Sequence, residues 1–110
     1  MKADALRGHL DPMILAVVEP EPLHGYAVME ALLARTGGEV DLPTGTLYPA
    51  LRRLERAGYL ASEWSTVSGR KRRTYRLTSA GQKMLAAEKS EWDTFRSVMD
   101  TVLRPGGATG

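Results

Sequence analysis

Apolar side chains crowd nearly every side of the stretch from Met13 to Val18. A helix with no polar face has to be enclosed by a core, so residues 11–19 read as a short buried helix. Asp11 and Pro12 suit its start, one as a cap and the other as a first helical residue. Pro20 and Pro22 end it, because proline lacks the amide donor and disfavours helical geometry in the residue before it. Tyr26, Met29, Leu32 and Leu33 recur at three- and four-residue spacing, which predicts a second helix over residues 23–35. Gly37-Gly38 stops it in a left-handed cap. Residues 39–43 read as a connector, and the mixed residues 1–10 as a frayed or helical arm.

A third helix spans residues 44–57. Leu47, Ala50, Leu51, Leu54 and Ala57 make one apolar stripe, and Thr46, Pro49, Arg53 and Arg56 lie opposite, with Tyr48 and Arg52 on the flank. With Thr46 as the cap, Pro49 loses no hydrogen bond; with a start at Thr44 a slight distortion is expected. Gly58 ends the helix. The period then falls to two. Residues 59–65 place Leu60 and Trp64 on one face, and residues 73–78 place Tyr75 and Leu77 on one face and Thr74 and Arg76 on the other. Thr66 to Arg72 reads as a turn with a basic tip, which makes the pair a hairpin. The last helix starts at Thr78 or Ser79: Ser79 with Gln82 matches a capping box, and Thr78 is an equally good cap. It runs to about Arg104, before Pro105-Gly106-Gly107, about twice the usual globular length.

The order helix–helix–helix–hairpin–helix is that of a winged helix-turn-helix. The expected fold class is mainly α with a small β-hairpin and a long C-terminal dimerisation helix. Residues 1–78 form the DNA-binding unit, residues 79–104 the helix of the same compact body, and residues 105–110 a flexible tail.

Composition narrows the chemistry. A chain of 110 residues fits one domain. The absence of cysteine excludes disulfides, a thiolate nucleophile and Cys-based metal sites. His9 and His24 stand too far apart for a helical ligand pair, so no metal or cofactor is expected. No paired acid and base, nucleophile or phosphate-cradling motif points to an enzyme. The apolar runs are too short to span a membrane, and no signal peptide is visible at the start, so a cytoplasmic protein is expected.

Charge is uneven. From Thr44 to Lys83, nine basic residues face only Glu55 and Glu63, a local balance of +7, while the remainder holds six basic and eleven acidic residues, or −5. Such a segment suits a polyanion. In a helix that enters the major groove, Arg52, Arg53 and Arg56 can pair with phosphates or guanine edges. Thr46 and Tyr48 near its start can donate to phosphate oxygens. Arg70, Lys71, Arg72 and Arg73 supply four consecutive cations with no acidic neighbour in sequence. A solvated helix face accounts for Arg52 and Arg56 taken alone; it accounts less well for both clusters at winged-helix spacing.

On the last helix, Leu85, Glu88, Trp92, Phe95, Met99 and Val102 alternate at the spacing of a coiled-coil-like seam. So long a helix needs a second copy to bury it, which predicts a homodimer with two recognition helices about one DNA turn apart, ~34–36 Å, and a palindromic double-stranded operator. Trp64 reads as a packing residue of the hairpin and His24 as a capping or packing residue. Gly25 reads as a point of close helix approach.

Leu23-His24-Gly25-Tyr26, the run Thr44-Gly45-Thr46-Leu47-Tyr48-Pro49 with Leu51-Arg52-Arg53-Leu54-Glu55, Gly58-Tyr59-Leu60, and Arg73-Thr74-Tyr75-Arg76-Leu77-Thr78 with Gly81 together resemble the PadR family of bacterial transcriptional regulators. The resemblance covers about residues 6 to 103 and is closest to the small subtype, including its multidrug-sensing members. It implies a homodimeric repressor, often beside genes for efflux or detoxification. It also implies DNA contact at Tyr26, Thr44, Gly45, Thr46, Tyr48 and the wing cations. In small multidrug-sensing relatives a tryptophan matching Trp92 sandwiches flat aromatic effectors at the dimer centre, which would bring Phe95, Arg96 and Met99 to the same site. A dimer-core anchor accounts for Trp92 equally simply. The rival from another class is a winged-helix module that binds a small molecule or a protein without DNA.

Overall fold

A computed structural model describes residues 1, 3–104 and 106. A 3₁₀ turn at Ala3–Leu6 leads into α1 (Leu10–Val18), β1 (Leu23–His24), α2 (Gly25–Arg35), α3 (Thr44–Arg56), β2 (Leu60–Val67), β3 (Arg70–Leu77) and α4 (Ser79–Leu103). The strands form one antiparallel sheet in the order β1-β3-β2. Ile14, Leu15 and Val18 of α1 meet Val28 and Leu32 of α2, Leu47, Leu51 and Leu54 of α3, and Leu60, Tyr75 and Leu85 in a single core. Of the expected tail, residues 105–110, only Gly106 lies within the described residues.

The structure departs from the sequence reading in four places. First, α1 begins at Leu10 with His9 in the cap position, so Asp11 is not the cap. Second, Leu23 and His24 are not helical. They form a two-residue edge strand, Leu23 opposite Tyr75 and His24 opposite Thr74, too short to show an alternating pattern. Third, the connector after α2 sends Val40 and Leu42 into the core. Thr36 anchors it: its hydroxyl donates to the Leu32 carbonyl at 2.7 Å and accepts from the Val40 amide at 2.9 Å. Of the two starts open to α3, the structure takes Thr44, and the helix runs through Pro49.

Fourth, the hairpin is longer and its turn tighter than the sequence suggested. Both strands are eight residues long. Only Ser68 and Gly69 separate them, at φ 53° and 77°, the doubly left-handed turn that matches the twist of two antiparallel strands. Arg70 to Arg73 are therefore strand residues and not turn residues. Alternation divides them: Lys71 and Arg73 share a face with Thr66 and Trp64, and Arg70 and Arg72 share the other with Val67 and Ser65.

Thr78 caps α4, its hydroxyl accepting from the Gly81 amide at 3.0 Å and donating to the Gly58 carbonyl at 2.6 Å. This cap pins the start of α4 against the end of α3. Gly81 is buried there, and a Cβ added to it would stand 2.2 Å from the Tyr59 carbonyl oxygen. Leu85 is also buried, but every residue from Lys89 to Leu103 is exposed. Seen whole, the molecule measures 60 × 29 × 21 Å, with most of α4 standing clear of the core.

The Gly81 contact sets a test of this junction. Gly81→Ala should destabilise the fold by about 3 kcal/mol, the upper part of the usual range for overpacking against unyielding backbone. Urea unfolding of the two proteins measures the difference, and equal midpoints would contradict the close approach.

Candidate nucleic-acid interface

The apolar stripe of α3, with Leu47, Ala50, Leu51 and Leu54 all buried, fixes which way the helix faces. Its remaining side chains turn outward beside the wing. Tyr48, Arg52, Glu55 and Arg56 of α3 line an opening of about 350 Å³ together with Arg73 and Tyr75 of β3. The third helix and the base of the wing thus meet at an opening that holds Arg52, Arg56 and Arg73. Burial raises the Tyr75 phenol above its ordinary value of 10.0, with Arg73 pulling the other way. The phenol stays neutral over the whole physiological range.

Tyr48 reaches its position because Gly25 has no side chain: a Cβ there would stand 2.7 Å from the Tyr48 ring. The expected close approach at Gly25 is thus real, and it seats a residue of the basic surface. Tyr26, on the next position of α2, is 59% exposed. Thr44, Gly45 and Thr46 form the exposed first turn of α3.

Not every cation grouped by sequence joins this surface as a free charge. Arg53 turns toward α1 and donates to both carboxylate oxygens of Asp11, at 3.3 and 2.5 Å. That pair, formed by residues 42 apart in sequence, ties the recognition helix to the first helix. Arg73 is also engaged. Its Nε donates to the Ser62 hydroxyl at 2.7 Å, a terminal nitrogen reaches both Glu55 oxygens at 3.1 and 3.2 Å, and its guanidinium lies 5.5 Å from the Trp64 ring centre. The acidic neighbour that the wing lacks in sequence is supplied by the fold. Among the described residues, Arg52, Arg56, Arg70, Lys71 and Arg72 make no ion pair. Trp64 is 63% exposed, with the Arg73 guanidinium over its ring at the wing surface.

The second group of residues singled out by the sequence lies on α4. Trp92, Phe95, Met99 and Val102 are exposed, and Val98 and Leu103 extend the strip. Leu85, assigned to the same seam by spacing, instead belongs to the chain's own core. The Trp92 ring stands 5.8 Å from Phe95 and edge-on to His9 at 5.9 Å. Arg96 lies 3.8 Å from Asp93 one turn away. A larger opening of about 630 Å³, between the N-terminal arm, α1 and the start of α3, carries Asp4, Asp11, Asp41 and Glu88 against Arg7 and Arg53. Its acidic balance sets it apart from the basic surface. Among the described residues no acidic or histidine cluster could hold a metal ion, and no helix is long and apolar enough to cross a membrane.

A helix-turn-helix with free cations on its third helix, flanked by a cationic two-stranded wing, is the architecture of a DNA-binding protein. The family model described as the transcriptional regulator PadR-like family matches residues 14–87. The transcriptional regulator Rv3488 of Mycobacterium tuberculosis is 46% identical over 67 residues, covering 61% of this chain and 60% of that protein. A solved transcriptional regulator from Clostridium thermocellum superimposes with a TM-score of 0.83 at 28% identity, over 90% of this chain and 97% of that one. A PadR family transcription regulator from Clostridium difficile gives 0.77 at 33% identity, over 87% and 99%. The chain belongs to the PadR-like family: it is a DNA-binding transcriptional regulator and not an enzyme.

The Glu55 carboxyl is held below its ordinary value of 4.5, first by the Ser62 hydroxyl and then by Arg73. A carboxyl depressed by folding stabilises the fold above its unfolded pKa, and that stabilisation is lost as pH falls through the folded value. Wild-type melting temperature should therefore drop below about pH 4.5 more steeply than that of Glu55→Gln. Parallel acid-side curves by circular dichroism would show that the carboxylate contributes nothing.

Proposed function

We propose that the protein is a homodimeric repressor that grips a palindromic operator through α3 and the wing and releases it on binding an aromatic, drug-like effector. The observation that carries this reading is the strip Trp92, Phe95, Val98, Met99 and Val102, exposed along the part of α4 that the chain's own core does not reach. A contiguous apolar patch of this kind marks an interaction surface. Its coiled-coil spacing suits a second copy of the same helix. Two-fold pairing then presents two copies of α3, spaced about one DNA turn apart, ~34–36 Å. The operator makes the cytoplasm the place of action.

In this reading the first turn of α3, with Thr44, Gly45 and Thr46, meets the phosphate backbone, as do Tyr26 and Tyr48. Arg52 and Arg56 reach base edges or phosphates, and Arg70, Lys71 and Arg72 reach the flanking backbone. Arg53 supports the helix from behind through Asp11. Trp92 with Phe95, flanked by Arg96 and Met99, forms the effector site where the two subunits meet. Met99 suits an adaptable wall. An effector wedged there favours one spacing of the two α3 helices over another, and coupling to DNA follows from that difference.

Duplexes selected from random DNA by the wild-type protein supply the probe. Arg52→Ala with Arg56→Ala should weaken gel retention by about a hundredfold or more, since each good base or phosphate pairing contributes about 1–3 kcal/mol. The melting temperature should hardly change. Unchanged retention would remove these residues from the interface. Sedimentation should give a dimer at micromolar concentration and a monomer for Val98→Asp; a wild-type monomer that still binds the selected duplex would overturn the symmetric model. Planar aromatic dyes should quench tryptophan fluorescence in the wild type and not in Trp92→Ala. Equal quenching in both would dismiss the effector site.

A further inference from the structure

The wing leaves the body at one cross-strand level. Tyr75 is buried and Ser62 half-buried, while every residue from Glu63 to Arg73 is exposed. Among the described residues the wing beyond that level is exposed, with Arg73 reaching back to the body, so the aim of the wing is decided where it departs. At that point a side chain from each of three elements converges. Glu55 comes from α3, Ser62 from β2 and Arg73 from β3. The Ser62 hydroxyl donates to Glu55 Oε2 at 2.5 Å and accepts from Arg73 Nε at 2.7 Å. Arg73 closes the triangle on both Glu55 oxygens and lays its flat face toward Trp64. Only residues 57–59 join α3 to β2, with Gly58 in the left-handed region at φ 85°, and the one large side chain of this link, Tyr59, packs against the core and not against the wing's cations.

Electrostatics alone argues against Glu55. A carboxylate on a surface that meets phosphates repels the ligand, and this one is flanked by Arg52, Arg56 and Arg73 on the basic opening. Its presence makes sense as geometry. We propose that Glu55 is a positioning residue for DNA binding: with Ser62 it latches Arg73 and so fixes the angle of the wing on the recognition helix. It follows that Arg73 acts as part of the latch, its charge already matched, while Arg70, Lys71 and Arg72 remain for phosphates. The inference rests on the DNA-binding reading of the basic surface and adds a division of labour among its cations.

The test uses the full-length chain, a duplex selected by the wild type from random DNA, and an unselected duplex of the same length, both titrated over a range of salt. Glu55→Gln should lose about tenfold on the selected duplex, as expected when charged hydrogen bonds are removed. It should gain affinity for the unselected duplex, with a salt slope steeper by up to about 0.9, because Arg73 is released as a free cation. Ser62→Ala should weaken selected binding in the same sense, and it keeps the test alive if Glu55→Gln folds poorly by circular dichroism. Arg73→Gln should lose selected binding with the slope unchanged, whereas Lys71→Gln should weaken both duplexes and flatten the slope by about 0.9. The double variant Glu55→Gln with Arg73→Gln should be no worse than either single change, the sign of one shared interaction. A loss that came only from general destabilisation would not raise unselected binding or steepen its slope. Selected binding by Glu55→Gln equal to or tighter than wild type, or a flattened slope in Arg73→Gln, would overturn the latch. A wild-type protein that enriches no duplex would instead overturn the DNA-binding reading, and the latch with it.

Discussion

The buried stripe of α3 governs the rest of the molecule. Leu47, Ala50, Leu51 and Leu54 are each at most 2% exposed, and burying four such side chains outweighs any preference of the polar ones for a particular direction. Once that stripe is seated on α1, β2 and the core, the helix has no rotational freedom left. Arg52 and Arg56 must then face outward beside Tyr48. The cations do not choose the surface; the leucines on the other side choose it for them.

The same logic explains what could be read from the chain and what could not. The stripe of α3, the alternation of Tyr75 and Leu77, and the span of α4 all repeat with the period of their element, and a period survives in one dimension. Contacts between elements do not. Nothing near Asp11 points to Arg53, 42 residues away, so a side chain that matched the outer face of a helix turned out to brace its flank. Glu55 did stand out as one of two acidic residues in a basic stretch, a signal that its role differs from that of its neighbours. β1 left no trace because two residues cannot alternate visibly. The Ser68-Gly69 turn was hidden because the cations after it resemble a loop more than a strand, although the Gly was in place for a tight hairpin.

Leu85 and Trp92 show how spacing can be right while assignment is split. Both lie on one helical stripe, two turns apart, and both are apolar. The buried core extends along α4 only as far as Met84 and Leu85, so the same stripe is core at one end and exposed surface at the other. Periodicity reports that a face is buried by something; only the extent of the fold says whether that something lies in the same chain. Val98 and Leu103 belong to the exposed end as well, so the apolar strip there is broader than two positions in seven.

The charges divide by the same geometric rule. Arg53 and Arg73 point back toward elements that carry a carboxylate within reach, and each is neutralised there. Among the described residues, Arg52, Arg56, Arg70, Lys71 and Arg72 meet no carboxylate. A surface of paired charges is electrostatically quiet but mechanically fixed, since each pair joins two elements. A surface of unpaired charges attracts a polyanion but holds nothing in place. A protein that must present two elements to one stiff duplex needs both properties, and it cannot obtain them from the same residues. Separating them, with Asp11 and Glu55 each consuming one arginine, lets the remaining cations keep their full attraction while the scaffold under them keeps its shape.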